Sequence, residues 1–550
     1  MSSDISTASS RSNQLKGWLG GVIDPQGLID EPRFGDRAIN LDEGPKSSTV
    51  RSWVKILDQT RCIGCHACTT ACKSENNVPL GVNRTYVKSV DVGVFPQVRR
   101  AFQVTRCNQC ENPPCVAACP TGAMYRRPDG IVDFDKRICI ACKACMAACP
   151  YDAIFINPED HSAEKCNFCA HRLEIGLEPA CVVVCPTEAI RIGDLADASS
   201  PVSADINRKP VTVRRPEKET RPKVFYLGAH MATLDPLAAE RPPGGLYAWA
   251  GQGSGPGHVA SGHPGKHNSR PAAVLSYDVP HHAPWDWKVS LYTWTKGIGA
   301  GAYLVPLLLV LFGPLAWTST LFRWVGPLVA LGGLGATGAL LIWDLGHPER
   351  FYLIFLRHQW RSWLVRGSFI IGAYGTVLVL QVLASILKSV AFSEVLAGFG
   401  LPLAAMTAVY TAFLFAQAKA RDLWQSPLLP GQLIVQALLL GSAASLFAAQ
   451  ALGAHGVVHD LRVALGAIAV LDLSLVIGEM TLDHVTAHTR LASHEIWLGK
   501  FRFWFWAGMI LLAATIATPW IGATGAGFAL ASVLCYEHSY VQGGQSVPLA

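Results

Sequence analysis

Sixteen of the chain's seventeen cysteines fall between Cys62 and Cys185, and their spacing carries the clearest chemistry in the sequence. They form four groups. The first is Cys62, Cys65, Cys68 and Cys72; the second is Cys107, Cys110, Cys115 and Cys119, followed by Pro120. The third is Cys139, Cys142, Cys145 and Cys149, then Pro150; the fourth is Cys166, Cys169, Cys181 and Cys185, then Pro186. The first and third read C-x2-C-x2-C-x3-C, a run that holds a cubane iron–sulfur cluster. Three thiolates on one tight loop reach three irons of the same cubane. The fourth opens a helix pointing away and reaches the neighbouring cubane. Two such runs therefore share two clusters, and four share four.

Two other uses of cysteine fit less well. A disulfide framework calls for an oxidising compartment, and the N-terminal stretch has neither the apolar core of a secretory signal nor a twin-arginine pair. Structural zinc uses paired C-x2-C motifs rather than triplets with a further thiolate three residues on. All sixteen positions are cysteine, so four [4Fe-4S] clusters are expected and nothing points to a three-iron cluster. Fully ligated clusters leave no open coordination position, so this half reads as a wire rather than a site of substrate chemistry. Cluster potentials span roughly −700 to +450 mV, which leaves the direction of flow open.

The second half is of another kind. Spanning a bilayer takes about 20 mostly apolar residues, and eight stretches qualify: 290–312, 325–343, 367–387, 396–416, 433–452, 463–479, 503–519 and a weaker one over 522–540, interrupted by Glu537 and His538. The loops on the side of the cysteine half carry Lys288, Arg350, Arg357, Arg361, Arg366, Lys419, Arg421, Arg490, Lys500 and Arg502. The other side carries Arg323, Lys388 and Arg462. By the positive-inside rule this bias predicts a cytoplasmic cluster domain on a multi-pass inner-membrane protein. No histidine is expected inside a span, since His347, His455, His459 and His538 read as end or loop residues; no haem is therefore expected in this chain. Electrons entering the membrane must then meet a diffusible carrier, for which a lipid quinone (menaquinone or ubiquinone) is the natural choice.

Ionisable residues inside such spans are costly and face the bundle interior or a water-filled cavity. Lys296 lies about two turns into the first span, Asp344 closes the second, and Tyr410 sits near the cluster-side end of the fourth. Asp472 and Glu479 are seven residues apart, on one helix face and roughly 10 Å from each other. The structural reading pairs Lys296 with Asp472 or Glu479 and makes Tyr410 an interfacial tyrosine. The functional reading sets Tyr410, Asp344 and Lys296 around a quinone head, with Asp472 and Glu479 as proton carriers.

The positioning elements follow from these two halves. An α+β, ferredoxin-like polyferredoxin domain over 51–236 precedes an all-α membrane bundle of about eight helices over 286–550. Residues 1–50, rich in Ser, Gly and Pro, read as a flexible arm. Residues 237–285 read as a Gly/Pro/His-rich linker whose His258, His263, His267, His281 and His282 are expected to be solvated loop residues. The charged fraction is 16% and the net charge +6, with no basic run; nucleic acid is not an expected partner.

The order of the four groups, the x4 gap between Cys110 and Cys115 and the x11 gap between Cys169 and Cys181 resemble the electron-transfer subunits of the molybdopterin oxidoreductases, over about residues 52–236. The resemblance implies that Cys62, Cys65 and Cys68 share a cluster with Cys185, and Cys166, Cys169 and Cys181 one with Cys72. It likewise joins Cys107, Cys110 and Cys115 with Cys149, and Cys139, Cys142 and Cys145 with Cys119. Lys73 departs from the proline of the other groups; a proline there shapes a helix start, so ligation is not affected. The stretches "WDLGHPERF" (343–351), "YTAFLFAQAKARDLWQSPLLP" (410–430) and "GGQSVPLA" (543–550) resemble the NrfD-type membrane subunit of polysulfide reductase. That resemblance implies a quinone contact at Tyr410, and Tyr292 where the family has a histidine in its first span. Together they imply a fused electron-transfer and membrane-anchor subunit linking a molybdenum or tungsten pterin catalytic subunit to the quinone pool. The alternative is a quinol-oxidising, proton-translocating module similar to alternative complex III.

Overall fold

The computed structural model describes residues 51–240, 272–482 and 484–550. The expected arm over 1–50, and His258, His263 and His267, lie outside the described residues.

The cysteine loops share one backbone device. The second residue after each group's first cysteine adopts the left-handed conformation: Gly64 at φ 70°, Gln109 at 46°, Ala141 at 54° and Phe168 at 60°. For a residue with a Cβ this costs about 1 kcal/mol or more. It turns backbone N–H groups back toward sulfur: Gln109 N–H donates to Cys107 Sγ at 3.5 Å and Ala141 N–H to Cys139 Sγ at 3.4 Å. Such concave runs of N–H groups stabilise negative charge.

Short helices then carry the third cysteine of each group: Cys68 on α1 (Ala67–Glu75), Cys115 on α2 (Pro114–Ala118), Cys145 on α3 (Ala144–Ala148) and Cys181 on α4 (Ala180–Val183). In the last three groups the Cys-Pro step disfavours further helix, because the residue before proline is driven out of the α region. Lys73 imposes no such limit, so α1 runs to nine residues. The proline thus acts at the helix end rather than its start. The Lys73 ammonium then donates to the Pro79 and Val82 carbonyls at 2.9 and 2.6 Å, pinning the following loop.

Small sheets wrap the loops. Strands β1 (Trp53–Asp58), β2 (Thr85–Val94) and β3 (Gln97–Arg106) come first. Two tight hairpins follow, β4 (Met124–Arg126) with β5 (Val132–Phe134) and β6 (Ile154–Ile156) with β7 (Ala163–Lys165). A four-stranded sheet has the order β8 (Ile190–Asp194), β1, β10 (Val224–Leu227), β9 (Val211–Thr212), with β1 and β10 parallel. In β1 the alternation is clean: Val54 and Ile56 pack outward on Val202 and Leu227, while Trp53 and Leu57 face the cysteine core.

The part of the expected linker that is described is not all loop. Ala273–Tyr277 forms β11, pairing antiparallel with β2. His281 is not solvated: its ring makes ion pairs with Asp152 at 2.5 Å and Asp278 at 3.1 Å and is 10% exposed, while His282 is exposed as expected. The loop reading failed because two buried carboxylates 126 residues apart in the sequence converge on this ring.

The second half is a helical bundle. Among the described residues, six helices are long and apolar enough to cross a membrane. They are α5 (Trp287–Phe312), α6 (Gly326–Trp343, extended at its start by the turn Leu321–Val325), α7 (Trp363–Ile386), α8 (Val390–Gln417), α9 (Leu429–Ala451) and α10 (His455–Thr481). Helices α11 (Ala487–Trp497) and α12 (Arg502–Ile516) meet at 70° and together make up to a seventh span. The weak eighth stretch is the 22-residue helix α13 (Ala523–Gly544). His538 lies within α13, its ring 4.9 Å from that of Trp504. Helices α5 and α9 are nearest one another at Gly301 and Gly441, where a Cβ on Gly301 would fall 1.8 Å from the Ala437 carbonyl oxygen. Small residues at a crossing let membrane helices pack backbone to backbone.

Candidate functional site

The sixteen thiols converge in four quartets, none of them in a disulfide. Cys119, Cys139, Cys142 and Cys145 line one cavity, and Cys107, Cys110, Cys115 and Cys149 another. Cys62 and Cys68 face Cys185. Cys72 faces Cys166 and Cys169, and the Asn76 amide lies 3.7 Å from both Cys72 Sγ and Cys169 Sγ. Each quartet takes three thiols from one group and the last from another. Four thiols around a cavity, with N–H groups turned to sulfur, fit a [4Fe-4S] cluster.

The quartets form a row. Cys68 neighbours Cys181, Cys107 neighbours Cys166, and Cys115 neighbours Cys145. The order is therefore the Cys62 quartet, the Cys166 quartet, the Cys107 quartet and the Cys139 quartet. The first meets solvent through Cys65, which is exposed, and through partly exposed Cys62 and Cys185. Electrostatics differ along the row. Burial pushes the Cys68 thiol up to about 12. Burial acts the same way on Cys181, but the adjacent Lys55 and Arg106 outweigh it and bring that thiol down to about 7.

The last quartet sits on the membrane helices, and the loop after α6 holds it there. Asp344 pairs with Lys143, between Cys142 and Cys145, at 3.2 Å. The His347 ring N–H donates to the Asp160 carbonyl at 2.8 Å, and Arg350 donates to the Lys136 and Cys139 carbonyls at 3.0 and 3.1 Å. The Gln359 amide reaches the Val116 and Cys119 carbonyls at 2.8 and 2.9 Å, and the Ser362 hydroxyl the Ala118 carbonyl at 2.9 Å. Asp344, His347 and Arg350 of "DLGHPERF" thus engage the cysteine half. Burial raises the Asp344 carboxyl, with Lys143 opposing. Above the helices, the Trp285 indole donates to the Cys142 carbonyl at 3.2 Å and stacks on Trp424 with ring centres 5.5 Å apart.

Beneath Cys142 lies an apolar pocket of about 230 Å³. Cys142, Tyr292, Asp344 and Tyr410 all line it, with Leu341, Ile354 and Phe355 among its apolar walls. Tyr292 and Tyr410 are 3% and 4% exposed, with Thr411 close to the Tyr292 hydroxyl. Gly367 of α7 makes room for Tyr410, since a Cβ there would come within 2.4 Å of its ring. Lys296 does not line the pocket. It sits behind Tyr410, Nζ 5.0 Å from the ring centre, and donates to the Ala408 carbonyl and Thr411 hydroxyl at 2.9 and 2.6 Å.

Asp472 and Glu479 are buried together on α10. The carboxylate facing Lys296 is neither of these but Glu537 of α13, which is 4% exposed. Glu537 is the principal site residue that sequence reasoning missed. Its signal is present: an acid inside a long apolar stretch points to function, although the same charge interrupts the hydropathy of the span. Among the described residues, Asp472 Oδ1 and the Gln436 amide nitrogen have no hydrogen-bond partner, while Glu479 lies near Ser426 and Tyr536 near Gln432. A polar seam therefore runs between α5, α9, α10 and α13.

Comparison with known proteins matches each half separately. Residues 98–195 match the family of 4Fe-4S dicluster domains, and residues 277–536 the family described as polysulphide reductase, NrfD. A tetrathionate reductase subunit of Salmonella typhimurium is 43% identical over 205 residues, covering 36% of this chain and 82% of that protein. A polysulfide reductase polypeptide of Wolinella succinogenes is 43% identical over 181 residues, covering 32% of this chain and 95% of that protein. The thiosulfate reductase electron transfer subunit PhsB of Salmonella typhi is 48% identical over 152 residues, covering 27% and 79%. The protein belongs to the iron–sulfur electron-transfer subunits of these reductases, fused in one polypeptide to a multi-pass NrfD-type membrane subunit.

Proposed function

We propose that this chain links a catalytic partner to the membrane quinone pool through four [4Fe-4S] clusters, the quinone head lying in the pocket under Cys142. The observation that carries this reading is that a cluster-ligand cysteine lines the same pocket as Tyr292, Asp344 and Tyr410. When bound, the clusters supply one-electron redox chemistry, and the quinone exchanges two electrons and two protons. The chain's residues do the rest. Tyr410 and Tyr292 offer hydroxyl donors for quinone carbonyls, and the apolar walls seat the ring and exclude water. Lys296 holds Tyr410 from behind, and Asp344 fixes the quartet to the pocket through Lys143.

Protons reach so buried a place only along polar groups. The Glu537, Asp472 and Glu479 carboxyls, with Gln432, Gln436 and Tyr536 beside them, support a water-filled route; internal waters gather where several polar groups face one another. The same seam favours a second reading, in which the module also translocates protons. The excess of Lys and Arg on the cluster side supports a cytoplasmic cluster domain, and exposed Cys65 supports a partner at the far end of the row. The relatives named as reductase subunits support a catalytic partner, which we take to be a molybdenum or tungsten pterin protein.

Gentle purification from native membranes, with subunit identification and Mo/W analysis, tests the partner. Titration of the complex with a quinone-analogue inhibitor tests the pocket. Binding lost in Tyr410→Ala supports it, and unchanged binding in Tyr410→Ala and Tyr292→Ala together moves the quinone elsewhere.

A further inference from the structure

We propose that Lys55 and Arg106 hold the cluster of Cys72, Cys166, Cys169 and Cys181 at the highest reduction potential in the row, so that an electron rests there between the exposed quartet and the two nearer the membrane. This rests on the four-cluster reading above.

Lys55 stands at the centre of β1 on the face that Trp53 and Leu57 bury against the cysteine core, where the strand pattern calls for an apolar residue. It is fully buried, its ammonium 3.5 Å from Cys181 Sγ and 4.5 Å from the centre of the Phe168 ring. Arg106 closes β3 immediately before Cys107 and is 1% exposed. It donates to the same sulfur at 3.2 Å, and its Nε and Nη2 have no hydrogen-bond partner. Two buried cations thus converge on one sulfur of this quartet, Arg106 also lying near Cys68 of the first, at a cost that burial of charge makes large.

The other quartets are served differently. Cys119 and Cys139 receive the backbone N–H groups of Met124, Ala141 and Ala163, and Cys119 and Cys185 meet the hydroxyls of Thr121 and Thr187. Lys165 lies near the Cys107 quartet, but its ammonium donates to the Val132 and Cys166 carbonyls. One electron entering a cluster adds one negative charge inside its cage; no bond forms or breaks, and the neighbouring cluster that supplies it is oxidised by one electron. Cations in a low-dielectric interior favour that added charge, and net charge and hydrogen bonds to sulfur are what set a cluster's potential.

The test is an EPR-monitored redox titration of the full chain, purified with whatever subunits accompany it. Cys181→Ser identifies the signal of this quartet. In Arg106→Met its midpoint is expected to fall furthest, that of the Cys62 quartet by less because Arg106 also lies near Cys68, while the two nearer the membrane hold; Arg106→Lys is expected to restore most of the shift. The proposal is overturned if iron is complete and no midpoint moves, if a different cluster moves more than that of Cys181, or if the wild-type Cys181 signal is not the highest. Where Arg106→Met loses a cluster, Lys55→Met decides on the same readout; loss of the cluster in both makes the cations structural and ends the proposal. Wild-type iron short of four cubanes defeats the four-cluster reading itself and is read separately, from the metal analysis.

Discussion

The two halves of this protein bury charge in opposite ways. In the cysteine half, buried charges meet named partners: Arg84 with Glu164 at 2.8 Å, Arg172 with Glu75 at 3.2 Å, and Lys55 and Arg106 with a sulfur. In the membrane half, Asp472 Oδ1 has no hydrogen-bond partner among the described residues, and Glu479 has only a neutral one, Ser426, near it. A relay of electrons needs fixed distances and a fixed field, and paired charges supply both. A route for protons needs groups that can exchange partners, which unpaired carboxyls and amides beside water can do. On the proposed function, the contrast separates a rigid half from one whose groups exchange partners.

The largest effect is expected at the junction of the halves. Cys142→Ala removes a ligand of the quartet that lines the pocket; iron should fall by one cluster and reduction of a quinone analogue should drop to background, while the clusters nearer Cys65 still reduce. Next, Tyr410→Phe keeps the ring and removes the hydroxyl, and quinone turnover should fall by about a hundredfold, the usual worth of one positioned proton donor. Cluster spectra should stay as they are, and a loss of iron instead would make Tyr410 structural.

Asp472→Asn sharpens the contrast itself. Electron transfer to quinone should persist, and any proton gradient in proteoliposomes should vanish; a normal gradient would count against proton translocation through this seam. The charged half offers the converse test in His281. Burial lowers its pKa, but Asp278 and Asp152 outweigh that and raise it to about 9. Its ion pairs should then contribute on the order of 3 kcal/mol, fully present below pH 6.5 and lost as pH rises through about 9. Thermal melts of His281→Gln should lie below wild type at pH 6 and meet it above pH 9.5 or so. The smallest effect is at Lys143, half-buried against Asp344: Lys143→Ala should cost about 1 kcal/mol of docking and slow quinone reduction only a few-fold.

Much of the cysteine half was legible because its ligands are local. Three members of the Cys62 and Cys139 quartets lie within seven residues, so the loop's geometry fixes their meeting whatever surrounds it. The row's order was not legible, since it depends on which helix carries the last thiol to which neighbour. In the membrane half, hydropathy located the spans, but the pocket gathers Cys142, Tyr292, Asp344 and Tyr410 from four distant stretches. Neither expected place for Lys296, at the quinone head or beside Asp472 or Glu479, is where it lies, because helix periodicity speaks only within a helix. Its facing carboxylate, Glu537, is 241 residues away and comes from the helix whose polarity had weakened its own assignment.

The sequence by itself therefore determined the kind of chemistry: thiol spacing dictates cubane cages, and apolar length dictates membrane spans. Tertiary structure alone decided the circuit. Lys55 beside Cys181, Asp344 beside Lys143 and Glu537 facing Lys296 are contacts between segments far apart in the sequence. Short-range spacing follows from covalent geometry, whereas these long-range meetings follow from which faces the packed helices and sheets bury against one another.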